Sequence, residues 1–414
     1  MSTARPQLRF LSDDQLERIH QTTLDILERP GMRITTEPAR ALLATAGCRI
    51  DGEDVSFPRE LVEWAISVAP GDFTWFDRAG TGGITFGERA PHWGAGVTCL
   101  NYLDPRTAAP HPYTLSDMAD VATVVDALRE RPFVIPYLNP VSPGLYNPET
   151  LDKLILSAQW GVPVVCQPAP QVGATSPMTL AGAMALSNAE SLAGLVIAQL
   201  VNEGNPYLIG IIPMALDMRT GAATAAGPIA PLLQFANVEL AHRYGLPIHA
   251  DGGNSDAKLF DEQATLEATF YAVTSAMAGV DVMFDGGCLE AGLLWSPELL
   301  VALDEIVDLC RSMMRGFDID DETLALDVIR DVGISEIYLG HDHTLAHFRD
   351  MWLPKLMSWD GRTDWVAKGS TTLGERVRDR TIELIDTHEP APLPEDVTSA
   401  MREVIEARKR TVAA

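Results

Sequence analysis

Hydrophobic positions change period along this chain, and the change divides it. In the first seventy residues they recur at helical spacing: Leu16, Ile19, Thr23, Ile26 and Leu27 follow the helix-start signal Ser12-Asp-Asp-Gln. Gly31 ends that helix, and residues 37–45 and 58–68 predict two shorter ones. Residues 73–76, 83–86 and 91–103 then read as strands and turns rich in Gly and aromatics. From about residue 97, short apolar runs alternate with helical ones. Strands are predicted at 97–103, 133–139, 162–167, 207–215, in the runs that begin at Leu246 and Val280, and at 337–339. Helices are predicted between them at 114–128, 148–160, 176–201, 229–244, 262–278 and 297–315. The strands are apolar throughout rather than alternating, the pattern of a sheet covered on both faces. This predicts an α/β fold, a (β/α)8 TIM barrel over residues 97–350. An N-terminal helical and β cap (1–96) precedes it and a C-terminal helical extension (351–414) follows. An open doubly wound sheet is the alternative, but no G-x-G-x-x-G follows the first strand, which argues against a dinucleotide fold.

Charge narrows the partners. Acids outnumber bases 57 to 31, a formal charge of -26, which opposes nucleic-acid binding because that rests on Lys and Arg. The five cysteines (Cys48, Cys99, Cys166, Cys288, Cys310) are widely spaced with no C-x-x-C pair, so neither a disulfide framework nor a zinc ribbon is expected. The N-terminus lacks an apolar core of signal-peptide length. The most apolar run, near residues 192–201, is interrupted by Gly194 and Gln199 and flanked by Glu190 and Glu203, too short and too polar to span a bilayer. A soluble cytoplasmic protein without membrane contact is the expectation.

Candidate chemistry lies at the strand ends. The run from Leu246 ends in Asp251-Gly-Gly, and the run from Val280 ends in Asp285-Gly-Gly, with Glu290 five residues beyond. Asn101, Tyr137, Asn139 and Gln167 stand at other strand ends. Asp-Gly-Gly is also ordinary turn chemistry, with Asp satisfying loop N–H groups and Gly taking positive φ. Two such endings on consecutive strands point to a shared cavity at the end of a barrel where active sites sit. His341-x-His343-x-x-x-His347 leaves three readings open: a metal site completed by a carboxylate, a pair of donors for a substrate carboxylate, or a surface helix with a turn before it. No H-E-x-x-H is present. Trp93, Tyr102, Tyr137 and Trp295 sit at or near strand ends and could form either core or an aromatic box for a quaternary ammonium, which has no N–H to donate. Cys288 is a candidate nucleophile without an evident base, or a small buried residue.

Four stretches carry a family likeness: residues 19–34 through Leu-Glu-Arg-Pro-Gly-Met-Arg-Ile; Cys288-Leu-Glu-Ala-Gly-Leu-Leu-Trp-Ser-Pro-Glu-Leu-Leu300; residues 308–327 with Arg315-Gly-Phe-Asp-Ile-Asp-Asp-Glu-Thr; and Tyr338-Leu-Gly-His-Asp-His-Thr-Leu-Ala-His-Phe-Arg349. They resemble the trimethylamine methyltransferase (MttB-like) superfamily, over nearly the whole chain. No pyrrolysine is present, so the chain is similar to the branch that includes glycine betaine:corrinoid methyltransferases. The resemblance implies a TIM-barrel enzyme that moves a methyl group from a quaternary amine to the Co(I) of a cobalamin (corrinoid) held by a partner protein docking at the barrel mouth. It implies no tightly bound cofactor and no resident metal in this chain. Under it Trp93, Tyr137 and Trp295 would cage the ammonium, with Tyr102, Asn139 and Gln167 as further substrate-binding residues. His341 and His343 would hold a carboxylate, and Asp251, Asp285 and Glu290 would shape or counter the charge. A homo-oligomer is expected. The alternatives are a metal-dependent barrel lyase or hydrolase using His341 and His343, and a betaine-binding protein without turnover.

Overall fold

Six short parallel strands carry the structure: β1 (His92–Ala95), β2 (Tyr137–Leu138), β3 (Val164–Cys166), β4 (Tyr207–Gly210), β5 (Ile248–Asp251) and β6 (Val282–Gly286). They lie side by side in the order β2-β3-β4-β5-β6-β1, with Tyr137 opposite Val165, Ile209 opposite Ile248, Asp251 opposite Phe284 and Met283 opposite Trp93. The computed structural model describes residues 2–4, 6–76, 83–87, 91–95, 99–128, 136–389, 392 and 395–412. Helices Pro148–Gln159, Leu180–Val201, Ile229–Tyr244 and Glu262–Ala278 join β2 through β6 in turn, and Pro297–Arg315 follows β6. Each packs beside the next on one face of the sheet. The architecture is mixed α/β.

Several predicted strands move. Of 97–103, residues 97 and 98 lie outside the described residues, and Asn101–Leu103 joins a separate four-stranded sheet with Pro110–Pro112, Leu294–Trp295 and Cys288–Leu289. Of 133–139, residues 133–135 lie outside the described residues and Tyr137–Leu138 forms β2. The run 207–215 breaks after Gly210, and Met214–Leu216 pairs with Gln171–Val172 and Ala223–Thr224 instead. Residues 337–339 form no strand. Ile337 and Leu339 are 78% and 81% exposed there, and without a neighbouring strand their backbone has no ladder to join.

Alternation sorts side chains between the two faces. Trp93, Val164, Cys166, Tyr207, Ile209, Ile248 and Met283 face the helices and form the main core with them. Val165, Leu208 and Val282 face the other way, onto Phe86, Phe73, Trp75 and Ile84 of the hairpin Phe73–Phe76/Gly83–Phe86. Gly87 N donates to Asp281 Oδ1, immediately before β6. The hairpin therefore fills the end where the strands begin and leaves the opposite end for chemistry.

The Leu180–Val201 helix is buried on almost every side from Ala183 to Gln199. By length and composition it could cross a membrane, contrary to the shorter apolar run read from the sequence. Yet 78% of its apolar window is buried inside the fold, where it acts as core. Most of its interior polar groups are matched individually, Asn188 Oδ1 being an exception among the described residues. Tyr146 OH donates to Glu190 O at 2.5 Å, Tyr207 OH to Ser191 O at 2.6 Å, and Ser191 Oγ to Cys166 O at 3.0 Å. Gly194 permits this, since a Cβ there would lie 2.7 Å from Tyr207 OH and 2.8 Å from Tyr146 OH. If the hairpin seals the strand-start end, Phe86→Ala should cost about 3–5 kcal/mol in urea denaturation. A loss below ~1 kcal/mol would show that the hairpin is not part of the core.

Candidate active site

β5 and β6 both terminate in an aspartate. Asp251 is fully buried and Asp285 is 7% exposed; with Asp251 opposite Phe284, the two carboxylates stand on adjacent strands one residue apart in register. Asp285 has φ +66°, and Glu290 and Ala291 beyond it have φ +50° and +52°. Left-handed backbone at non-glycine residues stores strain and collects at functional sites. The glycine after this turn is required by packing as well: at Gly287 (φ +90°) a Cβ would meet the Trp295 ring at 2.9 Å.

Asp251 is fixed from three sides. Gln167 Nε2 donates to its Oδ1 at 3.3 Å and to Ile211 O at 2.9 Å. Its own carbonyl accepts from Gln234 Nε2 at 2.9 Å and Ser275 Oγ at 3.2 Å. Its Oδ2 meets no hydrogen-bond partner among the described residues. Burial above all, then the charge and hydrogen bond of Asp285, hold the Asp251 carboxyl well above the usual carboxylate range. A carboxyl raised in this way favours its protonated form toward neutral pH. No Lys or Arg among the described residues reaches Asp251.

Aromatic rings stand on the same inward face. Tyr137, half-buried on β2, lies 5.5 Å from the Phe284 ring, and Phe284 lies 4.2 Å from the His249 ring. Burial, reinforced by Asp285 and Asp251, pushes the Tyr137 phenol well up. Burial brings His249 down to about 3. Both side chains are therefore neutral near pH 7. Neither His249 nor Phe284 was among the residues singled out in the sequence. The signal was available: His249 precedes Asp251 by two positions and shares its face of the strand.

The other expected residues scatter. Asn139 is exposed just past β2, its amide oriented to donate to Pro140 O at 3.0 Å and Gln167 O at 3.2 Å. Trp93 faces the helix layer rather than the interior, with the Arg311 guanidinium 5.5 Å over its ring; alternation along β1 turns its neighbour His92 inward, toward Phe86. Tyr102 and Trp295 stack on one another (centroids 6.1 Å, 12°), with Tyr113 edge-on to Tyr102 at 5.8 Å, in a second buried cluster with Cys99 and Cys288. A cation cage needs open ring faces, and these are filled by packing. Glu290 sits on the turn past β6, where its N–H donates to Ala257 O at 3.2 Å. Its side chain shares no hydrogen bond with the aspartate pair.

The histidines are likewise elsewhere. His341 caps the Asp342–His347 helix by accepting from His343 N, and His341 Nε2 lies 3.3 Å from Asp331. The His343 and His347 rings are 4.4 Å apart, and His347 Nδ1 is 3.2 Å from Asp350. None of the three is tied to Asp251, Asp285 or Gln167 within one chain, so it does not bring His341 and His343 to the strand ends. Among the described residues, no group of three His, Cys, Asp or Glu side chains is placed to hold a metal, so the metal reading of these histidines lacks a ligand set. Cys288 lies 3.7 Å from Cys99 and 3.9 Å from Asp285 Oδ1. The Cys99 hydrogen bond first, then burial, push its thiol well up, against a nucleophilic thiolate.

A buried acid pair beside aromatic rings suits a small cation, and comparison with known proteins agrees in class. The family model described as trimethylamine methyltransferase (MTTB) matches residues 1–129 and 106–413. The chain belongs to that family. Its membership makes this protein a methyltransferase. It is similar to the trimethylamine methyltransferase of Desulfitobacterium hafniense, at 27% identity over 95% of this chain and 93% of the relative. It is also similar to the glycine betaine methyltransferase from a second strain of that organism, at 26% identity over 100% of this chain and 99% of the relative. A solved structure, the Methanosarcina barkeri monomethylamine methyltransferase, covers 94% of this chain and 96% of its own at TM-score 0.46 and 10% identity.

Within this methyltransferase the aspartate pair gives stability a pH dependence of known sign. Asp251 keeps its proton in the folded chain, whereas an unfolded Asp loses it near about 3.9, so the pair's contribution to stability falls as pH rises above that value. Asp285→Asn removes the part of the upward shift of Asp251 that is owed to Asp285 and keeps the part owed to burial. Its melting temperature should therefore fall less steeply than that of wild type between about pH 4 and pH 8. An equal or steeper fall would mean that Asp285 does not raise the Asp251 carboxyl.

Proposed function

We propose that this methyltransferase takes a methyl group from a quaternary amine, glycine betaine or a close relative, and passes it to the Co(I) of a corrinoid carried by a separate protein. The observation that carries the reading is the buried Asp251–Asp285 pair of acids beside the rings of Tyr137 and Phe284. A quaternary ammonium offers no hydrogen-bond donor, so net charge and ring faces are what can bind it. The likeness to a glycine betaine methyltransferase supports the same class.

Attack by Co(I) on a methyl carbon forms the cobalt–carbon bond as the carbon–nitrogen bond breaks. The electron pair stays on nitrogen, and a neutral tertiary amine leaves. No proton needs to be delivered, which suits a site whose Tyr137 and His249 are neutral and whose Asp251 carboxyl is raised toward its protonated form. The residues then act by position: they hold the ammonium, point one methyl outward and exclude water. Gln167, Gln234 and Ser275 serve this indirectly by fixing Asp251.

In this reading the sheet closes into a (β/α)8 barrel flanked by a cap over 1–96 and an extension over 351–414. The placement of β1 beside β6, although β1 comes first in the chain, supports closure. The segment between β1 and β2 includes residues 96–98 and 129–135, outside the described residues. The corrinoid protein approaches the strand-end opening, because the hairpin fills the other end.

The direct test is to incubate the purified protein with free cob(I)alamin and, separately, glycine betaine, proline betaine, carnitine and trimethylamine, and to follow methylcobalamin by its absorbance. Methylation by at least one quaternary amine is expected. Activity with trimethylamine alone would overturn the substrate class. Tyr137→Leu should raise KM for the active betaine about 5–30-fold, equivalent to roughly 1–2 kcal/mol of cation–π contact, with the fold intact by circular dichroism. An unchanged KM would remove Tyr137 from the pocket.

A further inference from the structure

Three inward positions lie side by side across the middle strands: Gln167 just past β3, Gly210 ending β4 and His249 on β5. Gly210 is opposite His249, and a Cβ at Gly210 would lie 2.7 Å from His249 O and 3.3 Å from Gln167 Cγ. The middle position is therefore held to glycine, and no side chain of β4 separates its two polar neighbours. Both neighbours are buried, and each carries an atom without a hydrogen-bond partner among the described residues, Gln167 Oε1 and His249 Nδ1. The Gln167 amide nitrogen is already committed to Ile211 O and Asp251 Oδ1. Buried polar atoms are seldom left unpaired, because desolvation without a compensating bond is costly. Two of them on either side of a missing side chain mark a place for a small polar group from outside the chain.

The two atoms also state which group. A carboxamide oxygen only accepts, so the group must donate to Gln167 Oε1. Burial keeps the His249 imidazole neutral, with one nitrogen a donor and the other an acceptor. A hydroxyl meets both needs at once: its O–H donates to Gln167 Oε1 and its oxygen accepts the N–H of His249. A carboxylate has no proton for Gln167 Oε1 and would stand beside two acids.

We propose that Gln167, Gly210 and His249 form a hydroxyl subsite, and that the amine taken by this methyltransferase carries a hydroxyl on the second carbon from its ammonium nitrogen. The spacing follows from Gln167, whose one carboxamide reaches Asp251 with its nitrogen and the hydroxyl with its oxygen. Ammonium and hydroxyl are therefore close neighbours in one molecule. Orientation follows from depth. His249 precedes Asp251 by two residues along β5, so the hydroxyl end lies toward the filled end of the sheet and the N-methyl groups toward the opening. The inference rests on the quaternary-ammonium reading of the site and narrows it to hydroxylated members of that class.

Calorimetric titration of wild type with choline and with propyltrimethylammonium tests this, because the second replaces the hydroxyl by a methyl group at the same charge. Choline should bind at least about tenfold tighter, since a site built to hydrogen-bond a hydroxyl rejects the analogue that lacks it. In His249→Phe, which keeps a ring against Phe284, the preference should collapse toward unity. Equal affinities in wild type overturn the subsite and leave the ammonium reading standing, and this comparison needs no substitution. A preference that survives intact in a folded His249→Phe also overturns the subsite. Absence of binding by either cation overturns the ammonium reading itself and the subsite with it.

Discussion

The structure depends on burying one helix completely. Leu180–Val201 lies against its neighbouring helices, the N-terminal Asp13–Glu28 helix and the sheet, so its backbone and its few polar side chains have no water to fall back on. A buried helix of this kind is stable only if nearly all the polar groups it carries are matched locally. Tyr146 and Tyr207 reach its carbonyls from β-structure on one side, Asn188 Nδ2 donates to Thr23 Oγ1 and Tyr244 OH on another, and Glu190 accepts from Ser142 Oγ and Gly144 N. Burial pushes Glu190 up to about 7 despite those two donors. The helix thereby ties the N-terminal helices, the loop after β2 and the strands β3 and β4 into one body.

With that helix and its neighbours covering one face, the other face of the sheet is free to be polar at one end only. The hairpin residues Phe73, Trp75, Ile84 and Phe86 make the strand-start end apolar. At the strand-finish end the inward positions become Gln167 and Asp251, with His249 and Phe284 before them, and the irregular register of β6 after Met283 brings Asp285 beside Asp251. The site is thus a gradient along the strands, from hydrocarbon through neutral rings to a pair of buried acids. A cation is drawn to the far end of that gradient, while the apolar floor keeps water and counter-ions from neutralising the pair from below.

Residues 317–366 obey a different logic. None of them is buried, and their large hydrophobic side chains lie at the surface. The histidine cluster lies in this stretch, which is why residues that look like a site in sequence have Asp331 and Asp350 as partners instead of the strand-end carboxylates. Local capping by His341 and surface pairing explain their contacts within one chain.

Much of this was legible in the sequence. Apolar runs of strand length alternating with helical ones gave the parallel sheet and its helices, because a strand covered on both faces must be apolar on both. Asp251 and Asp285 could be found from Asp-Gly-Gly, since a carboxylate ending a buried strand has few other places to go. Four matters needed tertiary structure. Which side of β1 Trp93 occupies depends on the register against β6, and it faces Arg311 and the helices. Whether Tyr102 and Trp295 are open rings or packed ones depends on residues far away in sequence, among them Val121 and Val377. His249 and Phe284 become part of the site only when strands set β5 beside β6. The exposed fate of 337–339 depends on the absence of a neighbouring strand. Sequence periodicity reports how one segment is buried, but only the packed fold decides what buries it, and so which polar group is left facing which.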